Sequence, residues 1–150
     1  MSSAQAVYPY LNLQFRLVVG EQPLGSFSEC TGLALELTTE DYHEGGENRF
    51  VHKFPAVGQP PNLVLKRGLA GSDDLWKWFV QYLEQGTVEP KDGQIELLGR
   101  PESDLEPVRV WTFTRGYPVK WTGPELNAVS GAIAFETVEL VHRGLRAKEV

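Results

Sequence analysis

The chain has 150 residues, 41% of them hydrophobic and 23% charged, and a formal net charge of -6. This length predicts a single domain over residues 1–150, and the acidic charge argues against a nucleic-acid backbone as the main partner, because phosphate binding needs a concentrated basic face. A lone cysteine, Cys30, excludes an intramolecular disulfide and a CxxC metal framework.

The first half of the chain predicts three strands. They are residues 11–19, 33–38 and 62–67. Apolar and polar side chains alternate in the first two, which is the period of a strand with one buried face. In the second strand we expect Leu33, Leu35 and Leu37 on that face. Residues 20–25, which include Pro23, predict a turn.

A long connection occupies residues 40–61. It is polar and carries Gly45-Gly46, then alternates over residues 49–54, and ends in a turn-rich stretch. Connections of this length are uncommon in compact domains and usually indicate either function or disorder. The alternation favours an extended arm that is ordered at least in part.

One helix is predicted over about residues 73–84. Ser72 is the expected N-cap, Asp73 and Asp74 suit the positive end of the helix dipole, and Gly86 is a typical stop. Large apolar side chains at helical spacing predict one broad face packed on a sheet. These residues are Leu75, Trp76, Trp78, Phe79, Val80, Tyr82 and Leu83.

The last third of the chain predicts further strands. They are residues 94–98, 108–114, 117–121 and 132–142, with turns at Lys91-Asp92-Gly93 and Arg115-Gly116. The last strand carries apolar groups on both faces, which is typical of a strand covered on both sides. Six or seven strands around one helix predict a mainly β protein, an antiparallel sandwich or barrel-like fold with one flanking helix.

Residue patterns for catalysis and metal binding are missing from the sequence. It contains no G-x-S-x-G elbow, and His43-Glu44 lacks the second histidine of H-E-x-x-H. Gly45-Gly46 lacks the Lys-Ser/Thr of a phosphate loop, and the acids of residues 84–106 are typical of a solvated face. Cys30 is interpreted as a small buried hydrophobe. We therefore predict no catalytic residue, no metal and no cofactor.

Four tryptophans allow a different interpretation. Trp76, Trp78, Trp111 and Trp121 are expected in the core, yet they could line a groove. A carbohydrate- or peptide-binding β-sandwich therefore stays open as an alternative, as does an enzyme with an unrecognised site.

Several stretches, in order along nearly the whole chain, resemble successive motifs of the phage tail-tube family. They are SECTGL (28–33), EDYHEGGEN (40–48), NLVLKRG (62–68), DLWKW (74–78), VWTF (110–113), YPVKW (117–121), LNA (126–128) and FETVELVHRGL (135–145). Two departures are mild: Tyr117-Pro118 stands where many relatives look to have Trp-Pro, and Ser130-Gly131 where we expect Asn-Glu.

This resemblance implies a structural subunit, not an enzyme, of the inner tube of a contractile phage tail-like injection system. Its sheets would join those of other copies in hexameric rings that stack into a conduit. A baseplate-proximal tube initiator of the same family is the open alternative. The implied partners are copies of the chain itself, sheath and baseplate proteins, and a lumen cargo (effector protein, tape measure or DNA). Assembly in the cytoplasm is expected, in a particle that can become extracellular, because the sequence shows no secretory signal or membrane span.

Under this resemblance the arm at residues 40–61 is the natural contact between subunits. Its charged and aromatic side chains are typical of interfaces. The suspected contact residues are Tyr42, Glu44, Glu47, Asn48, Arg49, Phe50, His52 and Lys53. Charged pairs such as Glu47 with Arg49 of a neighbour would set the register. A mobile, solvated loop is the other interpretation of this segment.

Overall fold

The computed structural model describes residues 14–42, 45–46, 52–69, 73–99 and 106–149, and only the backbone of Tyr42, His52 and Val57. Within these ranges it contains ten strands and one helix. The strands are β1 (Phe15–Val19), β2 (Gln22–Phe27), β3 (Glu29–Thr31), β4 (Leu37–Tyr42), β5 (His52–Val57), β6 (Leu63–Gly68), β7 (Lys91–Gly99), β8 (Glu106–Thr122), β9 (Phe135–Val141) and β10 (Gly144–Lys148). The helix is α1 (Asp74–Gln85).

The strands form an antiparallel, barrel-like structure. Their hydrogen-bonded order is β2-β1-β7-β8-β9-β6-β3, and β10 pairs with β8. The path closes on itself because β2 continues into β3 past Ser28, whose backbone N–H donates to the carbonyl of Lys66 in β6 (2.9 Å). The predicted fold class, a β-sandwich or barrel with one flanking helix, is confirmed.

β8 connects the two halves of this barrel. Its first part pairs with β7 and β10, and its second part pairs with β9. The predicted turn at Arg115-Gly116 is therefore wrong: Arg115 has a φ of 50°, and its backbone N–H donates to Oδ1 of Asp92 (2.9 Å), but the strand continues. A Cβ on Gly116 would overlap the Phe113 ring, so the glycine there permits close packing rather than a reversal.

Several further predictions about strands and turns are wrong in whole or in part. Residues 32–36 belong to no strand, and Leu35 (73%) and Leu37 (68%) are exposed. The turn predicted over residues 20–25 is confirmed only at Gly20 and Glu21, because β2 begins at Gln22 and contains Pro23. Among the described strands β2 pairs with β1 alone, and such a position tolerates the missing N–H of proline. The turn expected at Lys91-Asp92-Gly93 is instead an irregular part of β7. The last predicted strand begins only at Phe135, and β10 was not predicted at all.

The structure confirms part of what was predicted for helix α1. Gly86 ends it in the left-handed conformation with a φ of 67°, as a C-terminal stop requires. The N-cap is Asp73 instead of Ser72, which lies outside the described residues. The predicted apolar face is buried only in part: Leu75 and Trp78 are buried, and Trp76 and Leu83 are exposed. Phe79, Val80 and Tyr82 are half-buried.

The hydrophobic core fills the barrel and extends to α1. Its members come from both halves of the barrel and from the helix. They are Leu17, Val19, Leu24, Phe27, Leu63, Leu65, Leu75, Trp78, Ile95, Phe113, Val138, Leu140 and Leu145. One acid of the expected solvated face is an exception: Glu96 is buried and forms an ion pair with Arg16 (2.5 Å).

Candidate assembly surface

The most prominent surface feature is the arm, which we define as β4 and β5. These strands pair antiparallel over six positions, from Leu37 opposite Val57 to Tyr42 opposite His52, and form a two-stranded sheet separate from the barrel. The backbone N–H of Gly58 donates to the carbonyl of Glu36 at its base (3.2 Å). An isolated two-stranded ribbon is only marginally stable in water. A second surface that covers the arm would therefore stabilise it.

The predicted contact residues lie towards the far end of the arm where the structure describes them. Tyr42 and His52 form the last strand pair, and Lys53 is exposed opposite Asp41. The remaining predicted contacts fall outside the described residues. They are Glu44, Glu47, Asn48, Arg49 and Phe50.

The contact prediction omitted several exposed residues of the same arm. Phe54 is 54% exposed and lies directly opposite Glu40, and Asp41 is exposed beside it. The exposed part of the Phe54 ring adds an apolar group to this polar arm. The alternation of apolar and polar side chains over residues 49–54 could have pointed to Phe54, but a sequence pattern does not show which face of a strand is exposed to solvent.

A second exposed apolar surface lies in the connection between β8 and β9. Leu126 (87%), Val129 (95%) and Ile133 (74%) are all exposed there. The segment has an ordered turn, in which Oδ1 of Asn127 accepts from the backbone N–H of Val129 (3.0 Å). Apolar side chains held out by an ordered turn are typical of protein contact surfaces.

Helix α1 supplies a third such surface. Trp76 (44%) and Leu83 (68%) are exposed. The Trp76 ring packs edge-on against Trp121 of β8, with 4.8 Å between ring centroids. The helix therefore presents apolar groups to solvent as well as to the core.

Beneath the helix, a buried polar network joins four strands. Nε of Arg67 in β6 donates to Oε1 of Glu136 in β9 (2.5 Å), and its Nη1 donates to the carbonyl of Leu24 in β2 (2.8 Å). Nε1 of Trp121 donates to the other carboxylate oxygen of Glu136 (3.1 Å). Arg67 and Glu136 are 5% and 2% exposed. Buried charges of this kind are paired and hydrogen-bonded because an unpaired one is costly.

Cys30, the one cysteine of the sequence, is half-buried. Burial raises the pKa of Cys30 from 9.0 to about 11, which disfavours the reactive thiolate. No group of three or more histidine, cysteine or acidic side chains in the described ranges could hold a metal ion. No helix in the same ranges has the length and apolarity to cross a membrane.

The four tryptophans do not share one surface. Trp78 is buried, and Trp111 and Trp121 are partly buried against the core. Only Trp76 is substantially exposed. The aromatic platform of a carbohydrate- or peptide-binding module would need several exposed rings side by side, and this arrangement does not supply them.

Comparison with known families gives one match. The sequence model of the T4-like virus tail tube protein gp19 family matches residues 11–146. A comparison with curated proteins found no match.

Several solved structures resemble the chain over almost their whole length. A chain of the anti-feeding prophage cap, the AFP tube terminating cap, is 22% identical with a TM-score of 0.80, covering 99% of this chain and 97% of that chain. A chain of the sheath-tube complex of the PVC extracellular contractile injection system in its extended state is 26% identical, with a TM-score of 0.77 and coverage of 95% and 93%. A chain of the six-fold symmetrised AFP baseplate is 25% identical, with a TM-score of 0.71 and coverage of 99% of both chains.

Proposed function

The chain belongs to the family of T4-like virus tail tube proteins, and from that premise we propose that it is a structural subunit of the tube of a contractile injection particle. Copies assemble into hexameric rings, and the rings stack into a conduit. The observation that carries this proposal is the match over residues 11–146, together with a 26% identical tube-complex chain that this fold follows at a TM-score of 0.77.

The arm supports the proposal physically. A free strand edge is a template for pairing with another chain, and among the described strands β4 and β5 each leave one edge without a partner. Head-to-tail contacts between identical copies close into rings when the rotation fits. The six-fold symmetrised baseplate that contains a 25% identical chain supports six as the number of copies.

The partners proposed for this chain are copies of itself, then sheath and baseplate proteins, and a cargo in the lumen. The sheath-tube complex of one relative and the baseplate of another support the two protein partners. The protein works as a stiff conduit without a chemical step, and the lumen holds an effector protein, a tape measure or DNA. It is assembled in the cytoplasm as part of a particle that can become extracellular.

Negative-stain electron microscopy of the concentrated protein tests this function. We expect annular particles with a central hole, and tubes where the rings stack. A sample that contains only single chains at high concentration, with and without baseplate proteins, would contradict the proposal.

The baseplate relative supports a second candidate, a tube initiator at the baseplate end. Its 25% identity over 99% of both chains is close to that of the tube-complex relative. The same micrographs separate the two functions. A repeating tube subunit forms extended tubes, whereas an initiator stops at a single ring even at the highest concentration.

A further inference from the structure

The connection between β8 and β9, residues 123–134, lies at the end of the barrel from which the chain enters α1. Gly68, the last residue of β6, is paired with Phe135, the first residue of β9. The backbone N–H of Leu69, which follows β6, donates to the carbonyl of Ala134 (2.8 Å). The connection and the segment that leads into α1 therefore share one end of the barrel.

The arm leaves the barrel at the opposite end. β6 begins at Leu63, shortly after the arm, and ends at Gly68, next to the connection. A strand of this length spans roughly 17–20 Å, so the base of the arm and the connection are separated by the length of β6. A contact between them would join different surfaces of two copies, which is the head-to-tail geometry that repeats through an assembly.

The connection exposes much apolar surface. Leu126, Val129 and Ile133 are exposed, and Leu69 next to the connection is 52% exposed. At roughly 100 Å² of apolar area for a fully exposed side chain, these four expose roughly 300 Å². One partner of a standard interface buries about 800 Å², somewhat more than half of it apolar. The four side chains therefore supply more than half of the apolar area that a stable contact needs.

A groove lies beside these residues, with a volume of about 510 Å³. Its lining includes Lys66 and Thr137, a cross-strand pair of β6 and β9, and Pro124 and Ile133 of the connection. Sites of roughly 300–1,000 Å³ bury most of a small ligand. The groove therefore has room for several side chains of a partner.

One face of the arm is suited to this surface. Thr39 lies directly opposite Pro55, and Leu37, two positions before Thr39, points to the same side. All three are exposed. Asp41 and Lys53 lie opposite each other farther out on the same face, so this face is least polar near its base. We call Leu37, Thr39 and Pro55 the apolar arm face, and residues 123–134 with Leu69 the receiving surface.

We propose that the apolar arm face of one copy packs on the receiving surface of another copy. The proposal rests on the proposed function, since it names the surface that takes up the arm in an assembly of identical chains. The contact removes apolar groups of both copies from water. It also covers a two-stranded ribbon that is only marginally stable alone. Because each copy carries both surfaces at opposite ends of β6, every copy can give its arm to one neighbour and receive the arm of another.

Charged substitutions on the two surfaces test the contact. The arm variant combines Leu37→Lys with Thr39→Lys, and the receiver variant combines Val129→Glu with Ile133→Glu. Each places charges against an apolar surface, so we expect the concentration needed for assembly to rise at least about tenfold. In a 1:1 mixture the lysines meet the glutamates, and assembly should recover to within about threefold of the wild-type concentration. This recovery also shows that both variants fold, and a mixture no better than its components would overturn the pairing.

The matched control changes the other face of the same strand. Thr38→Lys with Glu40→Gln changes the net charge as much as the arm variant does, but at positions that alternate with Leu37 and Thr39. It should assemble within about threefold of wild type, because exposed charges contribute little. An equal loss in the control and the arm variant would overturn the assigned face. If the arm and receiver variants assemble like the wild type, the contact is wrong while the tube function stands. If the wild type itself never assembles, both proposals fail.

Cross-linking gives an independent geometric test. Leu37→Cys is combined in turn with Leu126→Cys, Val129→Cys or Ile133→Cys, and the assembled protein is treated with a short bismaleimide. At least one of the three pairs should give a ladder of linked oligomers on a denaturing gel. Leu37→Cys alone is the control and should give no ladder, since burial raises the pKa of Cys30 to about 11 and slows its reaction. Assembled particles without a ladder for any pair, or links only within one chain, would overturn the contact.

Discussion

Removal of Glu136 should be among the most damaging changes to the barrel. Its carboxylate accepts hydrogen bonds from Nε of Arg67 (2.5 Å) and Nε1 of Trp121 (3.1 Å), and the residue is 2% exposed. Glu136→Ala removes the carboxylate that pairs with the buried Arg67 guanidinium. Breaking one side of a buried ion pair costs about 3–5 kcal/mol of unfolding free energy. The indole N–H of Trp121 loses its acceptor as well.

Urea unfolding monitored by tryptophan fluorescence measures this loss. At a slope of about 2 kcal/mol per molar urea, the midpoint should fall by about 1.5–2.5 M. The protein is kept below the concentration at which it assembles, because association stabilises the folded state. Replacing both partners, Arg67→Met with Glu136→Leu, should recover only part of this loss, because it removes the uncompensated charge but leaves Nε1 of Trp121 and the carbonyl of Leu24 without these partners.

The exposed pair Lys77–Asp73 provides the control. Its atoms are 3.2 Å apart, but the side chains are 70% and 66% exposed. Lys77→Ala should therefore cost no more than about 0.5 kcal/mol. The reasoning is refuted if Glu136→Ala shifts the midpoint no more than Lys77→Ala does.

Three other predictions follow from single features of the fold. Gly32 has a φ of 94° and a Cβ there would overlap the backbone carbonyl of Asn62, so Gly32→Ala should cost more than about 2 kcal/mol in urea unfolding. Gly20→Ala, at a φ of 62° with open space around it, should cost only about 1 kcal/mol, and equal losses would refute the overlap. Burial raises the pKa of Cys30 from 9.0 to about 11, which lowers its thiolate fraction at pH 8 about 100-fold. A thiolate of higher pKa is more nucleophilic, and this offsets roughly tenfold of the loss in reaction rate. Alkylation of Cys30, followed by mass spectrometry, should thus be about tenfold slower in the folded chain than in urea, and equal alkylation rates would contradict the burial of this thiol. The same raised pKa makes the free energy of unfolding fall as the pH rises from 9 towards 11. Deletion of residues 43–54 should abolish ring formation in micrographs, and unchanged rings would show that the arm is not the contact.

Elements with strong local signals could be predicted from the sequence. β6 runs from Leu63 to Gly68, and α1 ends at Gln85 with Gly86 as its C-cap, close to the predicted bounds. Local periodicity and the conformational freedom of glycine decide both. The turn predicted at Arg115-Gly116 was wrong because these residues suit either a turn or a continuous strand. Contacts with Asp92 and Phe113 decide between the two.

Burial was harder to predict, because it depends on which face of an element is covered. Leu35 and Leu37 follow the pattern of a buried strand but lie exposed at the base of the arm. Conversely, Arg67 and Glu136 are charged, and no local pattern indicates that each points into the barrel towards the other. The length and polarity of the connection at residues 40–61 predicted an arm. Its strand pairing, with Phe54 opposite Glu40, could be seen only in the structure.

Native mass spectrometry of the concentrated wild-type protein shows whether six copies of the chain associate. We expect a species of six chains of 16.8 kDa each, about 100 kDa in total, that becomes more abundant as concentration rises. A spectrum that contains only the 16.8 kDa chain at every concentration would contradict it.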